Sequence, residues 1–318
     1  MHSRSGAAAS LEAMRVVSLV PAATEIACAI GAGDDLVAVT HDCDYPENVR
    51  SLPKITSSTI APGSGSAAID AAVREAAERG ESTFHLDAEA LAHARADVLL
   101  GQTLCRICAV TVGQVPRVEG HEPAVVPLDG DSLEGIFADI ARVGDALGRR
   151  EESARLVASL RERMARVATL VASARRPTVV CLEWLDPLFG VGHWVPEQVD
   201  VAGGTEMLGR AFARSAEVTI EQVAAADPDF LFLMPCGFDA ERAVRESAGL
   251  RAHAPWRQLR SVRDGHAYAL DGNAYFSRPG PRVVDGIELL ASLLHPDRIL
   301  PTRMTAISLA GEPAHLSR

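Results

Sequence analysis

The sequence predicts an α/β fold of two lobes, each built on a mostly parallel sheet, joined by a long spine helix and facing each other across a ligand cleft. Three observations carry this reading. Short apolar strands alternate with helical stretches through most of the 318 residues, the order that gives parallel sheets flanked by helices. Residues 89–97 (EALAHARAD) and 221–229 (EQVAAADPD) place a glutamate, two alanines and an aspartate at identical spacing, so one lobe is written twice. Each copy runs into a short apolar strand, 98–100 and 230–234, and each strand opens into a cysteine-bearing loop. Between the copies, apolar residues recur at helical spacing over 133–171, long enough for a helix that joins two lobes.

The elements follow in order. Residues 16–20 are a buried-strand run, and Pro21 and Thr24, the latter read as an N-cap, turn it into an apolar helix that ends near Gly31 and Gly33. Residues 36–40 form a second strand before the loop 41–46. The Ser/Gly/Pro-rich stretch 57–66 reads as an exposed loop and 67–79 as a helix. Leu133, Ile136, Phe137 and Ile140 make one helical stripe, and Leu156, Leu160, Met164, Val167 and Val171 make the next, with a break near Gly148. At a 1.5 Å rise the second piece, 151–174, spans about 36 Å. Arg176-Pro177 stops it, and strands are expected at 178–182, 230–234 and 266–270, with helices at 220–226 and 282–294. The domain boundaries that result are a disordered segment 1–14, a first lobe 15–147, a spine 148–176, a second lobe 177–300 and a tail 301–318.

Composition removes several function classes. A formal net charge of −11 with no Lys/Arg-rich run repels nucleic acid and anionic membranes. No stretch reaches the roughly 18 apolar residues of a membrane span. The first 13 residues lack the apolar core of a secretory signal, so a cytoplasmic location is expected. Six cysteines in such a compartment are thiols or metal ligands before they are disulfides.

Ligands of open parallel sheets sit beyond the carboxyl ends of the strands. Here those ends are residues 21–24, 41–45, 102–108, 183–194, 235–238 and 272–278, and they hold seven of the chain's 14 aromatic residues. Such clustering favours a broad, flat, partly apolar ligand. The candidate contacts are Pro21, Thr24, Tyr45, Trp184, His193, Trp194, Phe238, Tyr275, Phe276 and Arg278. A second constellation, His41, Cys43, Cys105 and Cys108, pairs a His-x-Cys with a Cys-x-x-Cys, a donor set able to complete a tetrahedron around Zn or to hold an Fe–S cluster. Packed thiols are the plainer reading of the same residues. The sequence contains no nucleophile elbow, P-loop or GxGxxG.

Residues 16–46, VVSLVPAATEIACAIGAGDDLVAVTHDCDYP, resemble the opening of the class III periplasmic-binding-protein superfamily, in particular its cobalamin-binding proteins that serve ATP-driven vitamin importers. Residues 273–296, NAYFSRPGPRVVDGIELLASLLHP, resemble the family's aromatic loop and final helix. The resemblance implies Rossmann-like lobes that clamp a corrinoid, with Tyr275 as a ring contact and Glu89 and Glu221 as the acidic pair that docks on arginines of an ABC permease. Ser215 stands where the family carries a tryptophan. A non-enzymatic cobalamin clamp is therefore the leading expectation. The alternatives are a metal- or Fe–S-dependent enzyme on the same scaffold, and haem or siderophore capture, for which Arg106 and Arg278 are the basic candidates.

Overall fold

The computed structural model describes residues 14–102, 122–299 and 301–309. The first lobe holds a four-stranded sheet, all parallel, in the order Leu36–Ala38, Val16–Ser18, Val98–Gln102, Ala124–Leu128. The second lobe is centred on three parallel strands, Thr178–Leu185, Phe230–Leu233 and Ala267–Leu270. Antiparallel strands close both of its edges: Leu188–Gly190 with Ala216–Glu217 on one side and Ala306–Ser308 on the other. Both lobes are Rossmann-like. Residues 306–308, assigned to a tail from sequence, instead form that edge strand, because Tyr268, Ala269 and Leu270 offer them an open ladder.

The sequence repeat is a repeat of structure. Helices Ala88–Ala94 and Ile220–Ala226 correspond, each N-capped by the residue before it, Asp87 through the Ala90 amide and Thr219 through the Gln222 amide. Each ends on a left-handed residue, Arg95 (φ 44°) and Asp227 (φ 36°), which stops the helix and aims the chain into its strand. The final aspartate then hooks the neighbouring strand at its start: Asp97 Oδ2 accepts from the Arg15 amide at 2.8 Å, and Asp229 Oδ2 accepts from the Thr178 amide at 2.9 Å. The central strand pair of each lobe is thus registered by the same carboxylate.

Gly148 (φ 67°) separates helix Leu133–Ala146 from the spine helix Arg150–Val171, whose 22 residues span about 33 Å. The spine touches both lobes. It packs on Leu133–Ala146 through Leu160 and Val157, and Arg163 reaches Asp285 (2.6 Å) and Glu288 (2.6 and 2.9 Å) on the last helix, Val283–Leu294. That last helix buries ten of its 12 residues, well beyond the single apolar stripe read from its sequence, because the second sheet, helix Val195–Val201 and the spine enclose it. One apolar cluster runs from Val16 and Ile26 through Phe137 and Leu160 to Phe232 and Leu290, so a common core joins the lobes at the back. The outer face of each sheet has its own smaller cluster, around Leu91 and Leu99 in the first lobe and around Leu231 and Trp256 in the second.

Asp229 is held below the usual carboxylate range: burial opposes its ionisation, but the Thr178 amide and Arg175 outweigh that cost. Its contribution is complete above the unfolded value of about 3.9 and is lost as pH falls through the lower folded value. Replacing Asp229 with alanine is expected to cost about 1–3 kcal/mol at pH 7 and to flatten the acid limb of a urea-stability profile. The exposed Asp97→Ala change should cost less.

Candidate functional site

The loops at the carboxyl ends of the two sheets meet across the cleft in one charged network. Helix Pro21–Ala29 starts with proline at its first position and carries Glu25 on a face that is otherwise Ala, Thr and Ile. Glu25 is 3 % exposed. From the other lobe, Arg278 Nη1 donates to Glu25 Oε1 at 3.0 Å, and Arg282 donates to both carboxylate oxygens at 2.5 and 2.8 Å. Arg278 also binds Asp44 Oδ1 at 2.6 Å, the Asp42 carbonyl at 3.1 Å and Asn273 Oδ1 at 3.0 Å. Burial opposes ionisation of Asp44, yet the Arg278 hydrogen bond and charge hold its carboxyl below the usual range.

The loop that brings Arg278 here is shaped locally. Asp271 caps the short helix Gly272–Tyr275 by accepting from the Ala274 amide at 2.7 Å. Gly272 lies so close to the end of strand Phe230–Leu233 that a Cβ would stand 2.3 Å from the Pro235 carbonyl oxygen. Only glycine admits that approach.

The structure divides the sequence-selected contacts into two groups. Tyr45 is exposed, with the Arg282 guanidinium 4.2 Å from its ring centroid, and half-buried Tyr275 lies 5.9 Å from the same guanidinium. Trp184 is half-buried against Phe238, ring centroids 5.2 Å apart, and Pro21 is half-buried at the mouth of its helix. His193 is half-buried on a left-handed backbone (φ 51°) whose N–H and C=O are taken by Ala213 and Phe212. Burial lowers its pKa, with Asp131 opposing and Arg214 assisting.

The remaining five present little or no surface. Thr24 is fully buried in mid-helix, its hydroxyl donating to Ser18 Oγ at 2.8 Å and 3.0 Å from Cys43 Sγ; the N-cap position belongs to Val20. Trp194 and Phe276 pack in the common core, Phe238 is 2 % exposed beneath Arg242, and Arg278 is consumed by its carboxylates. Sequence reasoning passed over Glu25, Asp44, Asn273 and Arg282. A signal was present: a lone carboxylate within an apolar helix needs a partner, and Arg278 and Arg282 stand four residues apart.

The thiol constellation does not assemble among the described residues, where no group of three or more His, Cys, Asp or Glu side chains is placed to hold a metal. His41 Nδ1 lies 2.7 Å from Thr56 Oγ1, while Cys43 Sγ is buried between Thr24 and Thr40. Burial raises the Cys43 pKa, partly offset by those two hydroxyls. Cys28, 3.2 Å from where a Gly33 Cβ would lie, is pushed up to about 11 by burial and the charges of Cys43, Glu25 and Asp34. Cys105, Arg106 and Cys108 lie outside the described residues. Among the described residues, His41 and Cys43 are each engaged with threonine hydroxyls and form no metal-binding group.

Glu89 and Glu221 are both exposed in the first turn of the repeated helices, where the helix dipole favours an anion. Glu89 also borders a cavity of about 500 Å³ lined by Asp87, Val37, Pro53, Ile55 and His93, remote from the Glu25 network.

This architecture has known relatives. The family model for periplasmic binding proteins matches residues 16–274. The chain belongs to the periplasmic binding protein family. The vitamin B12-binding protein of Vibrio cholerae serotype O1 is 23% identical over 297 residues, covering 89% of each chain. An uncharacterized ABC transporter substrate-binding lipoprotein of Bacillus subtilis (strain 168) is 24% identical over 298 residues, covering 90% of this chain and 81% of the relative. Among solved structures, a periplasmic heme-binding protein from Pseudomonas aeruginosa superposes with a TM-score of 0.71 at 21% identity, covering 93% and 97% of the two chains. The V. cholerae vitamin B12-binding protein does so with 0.63 at 22%, covering 89% and 96%. These identities establish the fold, and the names differ in ligand. Both solved relatives are named as periplasmic, so these likenesses lend no support to a cytoplasmic location.

Removing one partner of a buried ion pair strands the other charge, at about 3–5 kcal/mol. Arg278→Ala is therefore expected to lower stability by that order in urea titrations. Glu25→Gln, which keeps an acceptor for the guanidinium groups, should lose less.

Proposed function

We propose that this chain captures a corrinoid between its lobes and carries it as a binding protein. The supporting observation is the fate of Arg278 and Arg282, the arginines of the second lobe's closing loop and helix start among the described residues. Both are spent on Glu25 and Asp44, so neither is free to pair with the carboxylates of haem or the acidic groups of many siderophores. Around them, Tyr45, Tyr275 and Trp184 keep accessible ring surface, suited to a large ligand whose periphery is amide and methyl. Aromatic packing and neutral hydrogen bonds then supply the affinity, with no requirement for a charge on the ligand.

The reading also includes a partner. Exposed Glu89 and Glu221 sit at equivalent positions of the repeated helices, and a relative of this chain is named as an ABC transporter substrate-binding lipoprotein. An arginine-bearing permease surface complements two such carboxylates. The bare structural alternative is that each glutamate only favours its own helix N-terminus, for less than about 1 kcal/mol.

Calorimetric titration with cyanocobalamin and cobinamide is expected to give micromolar or tighter binding, about −8 kcal/mol, while hemin fails to compete. Tyr275→Ala and Trp184→Ala should each weaken binding by about 1 kcal/mol, the scale of one aromatic contact. Trp194→Ala, being in the core, should act on stability by about 3–5 kcal/mol instead. Hemin binding without corrinoid binding would sink the ligand assignment.

For the partner, charge reversal at both Glu89 and Glu221 is expected to abolish co-purification with a permease while leaving corrinoid affinity unchanged. Equal recovery of the permease with both proteins would leave only the local helix role.

A further inference from the structure

Residues 59–83 leave the first lobe on a two-stranded stem, Thr56–Ser58 paired antiparallel with Phe84–Leu86. The excursion carries helix Ser66–Glu78, and it is fastened to the other lobe. Arg242 Nη2 donates to the Ser64 carbonyl at 2.7 Å. Glu246 Oε2 accepts from both the Ser66 amide at 3.0 Å and the Ser66 hydroxyl at 3.1 Å. Farther along, Arg74 meets Glu217 at 3.4 Å. All three partners belong to the second lobe.

The cap is unusual in its source. The residue preceding the helix is Gly65, which has no side chain with which to satisfy the first amides. A carboxylate 180 residues away takes that place, answering an otherwise unpaired donor and placing negative charge on the positive end of the dipole. The fastening is continuous with the cleft lining. The Arg242 guanidinium that holds Ser64 also lies 3.6 Å from the centroid of the Phe238 ring, and Phe238 packs on Trp184. Because every group in this contact can be taken up by water when the lobes part, it is suited to release. The Glu25 network, buried and double-paired, is not. The exposed Arg74–Glu217 pair adds little by itself.

We propose that helix Ser66–Glu78 is the front wall of the ligand cleft and that Glu246 and Arg242 are positioning residues that hold it shut, setting how fast a bound ligand leaves. The retention role rests on the cleft being the ligand site proposed above; the latch itself does not. The test uses the full chain with Glu246→Ala, Glu246→Gln and Arg242→Ala. Hydrogen exchange of amides 66–70 is measured without ligand, and dissociation is followed by stopped flow for cyanocobalamin and hemin, whichever binds. Glu246→Ala is expected to speed both exchange and dissociation by roughly fivefold, the population shift carried by one helix cap. Glu246→Gln, which retains an acceptor, should recover part of both, with the thermal midpoint little changed in each variant. Unchanged exchange in Glu246→Ala overturns the latch whatever the ligand does. Faster exchange with an unchanged dissociation rate overturns the retention role. Failure of wild-type protein to bind either probe overturns the reading of the cleft, and the retention role with it.

Discussion

The carboxylate of Glu25 fixes the relation between the lobes. It is buried in the first lobe's opening helix, and its two partners arrive from the loop and helix start that close the second lobe. An ionised carboxylate in such surroundings costs several kcal/mol unless it is paired and hydrogen-bonded. The pairing therefore constrains geometry more than it adds net stability. Helix Pro21–Ala29, the Asp42–Tyr45 loop and the segment from Asn273 to Arg282 must hold their mutual positions for the charge to be tolerated. The cleft is the space those positions leave.

The same arrangement engages the arginines of the facing segments within the protein. Arg278 and Arg282 are paired with Glu25 and Asp44, and Arg282 rests on the face of Tyr45. The back of the molecule is a shared apolar core stiffened by the spine helix and the Arg163 pairs to Asp285 and Glu288. The front is held by a few part-buried hydrogen bonds.

Much of the fold was legible because it rests on local rules. Periodicity placed the spine, Gly148 marked its break, and the repeat at residues 89–97 and 221–229 revealed the duplicated lobe. What escaped the sequence was long-range. Ala306–Ser308 is a strand only because Ala267–Leu270 offers it an edge. Trp194 and Tyr275 are both aromatics near the cleft loops, yet one packs in the core and the other keeps exposed surface, a difference set by neighbours far along the chain. Cys43 looked like a metal donor by spacing and is a buried thiol because Thr24 and Thr40 close over it. The lone carboxylate of Glu25 on an apolar helix signalled the need for a partner, but which residues answer it was not legible, since they come more than 250 positions later.

That separation has a consequence for any fragment of the chain. Glu25 precedes Arg278 and Arg282 by more than 250 residues, whereas Asp97 and Asp229 each answer a group of their own lobe. A first lobe without the later residues would keep its Asp97 contact but carry an unanswered carboxylate on an apolar helix. The two guanidinium groups answer that carboxylate from the second lobe, so a chain cut after the spine would lack the charge its own first helix requires.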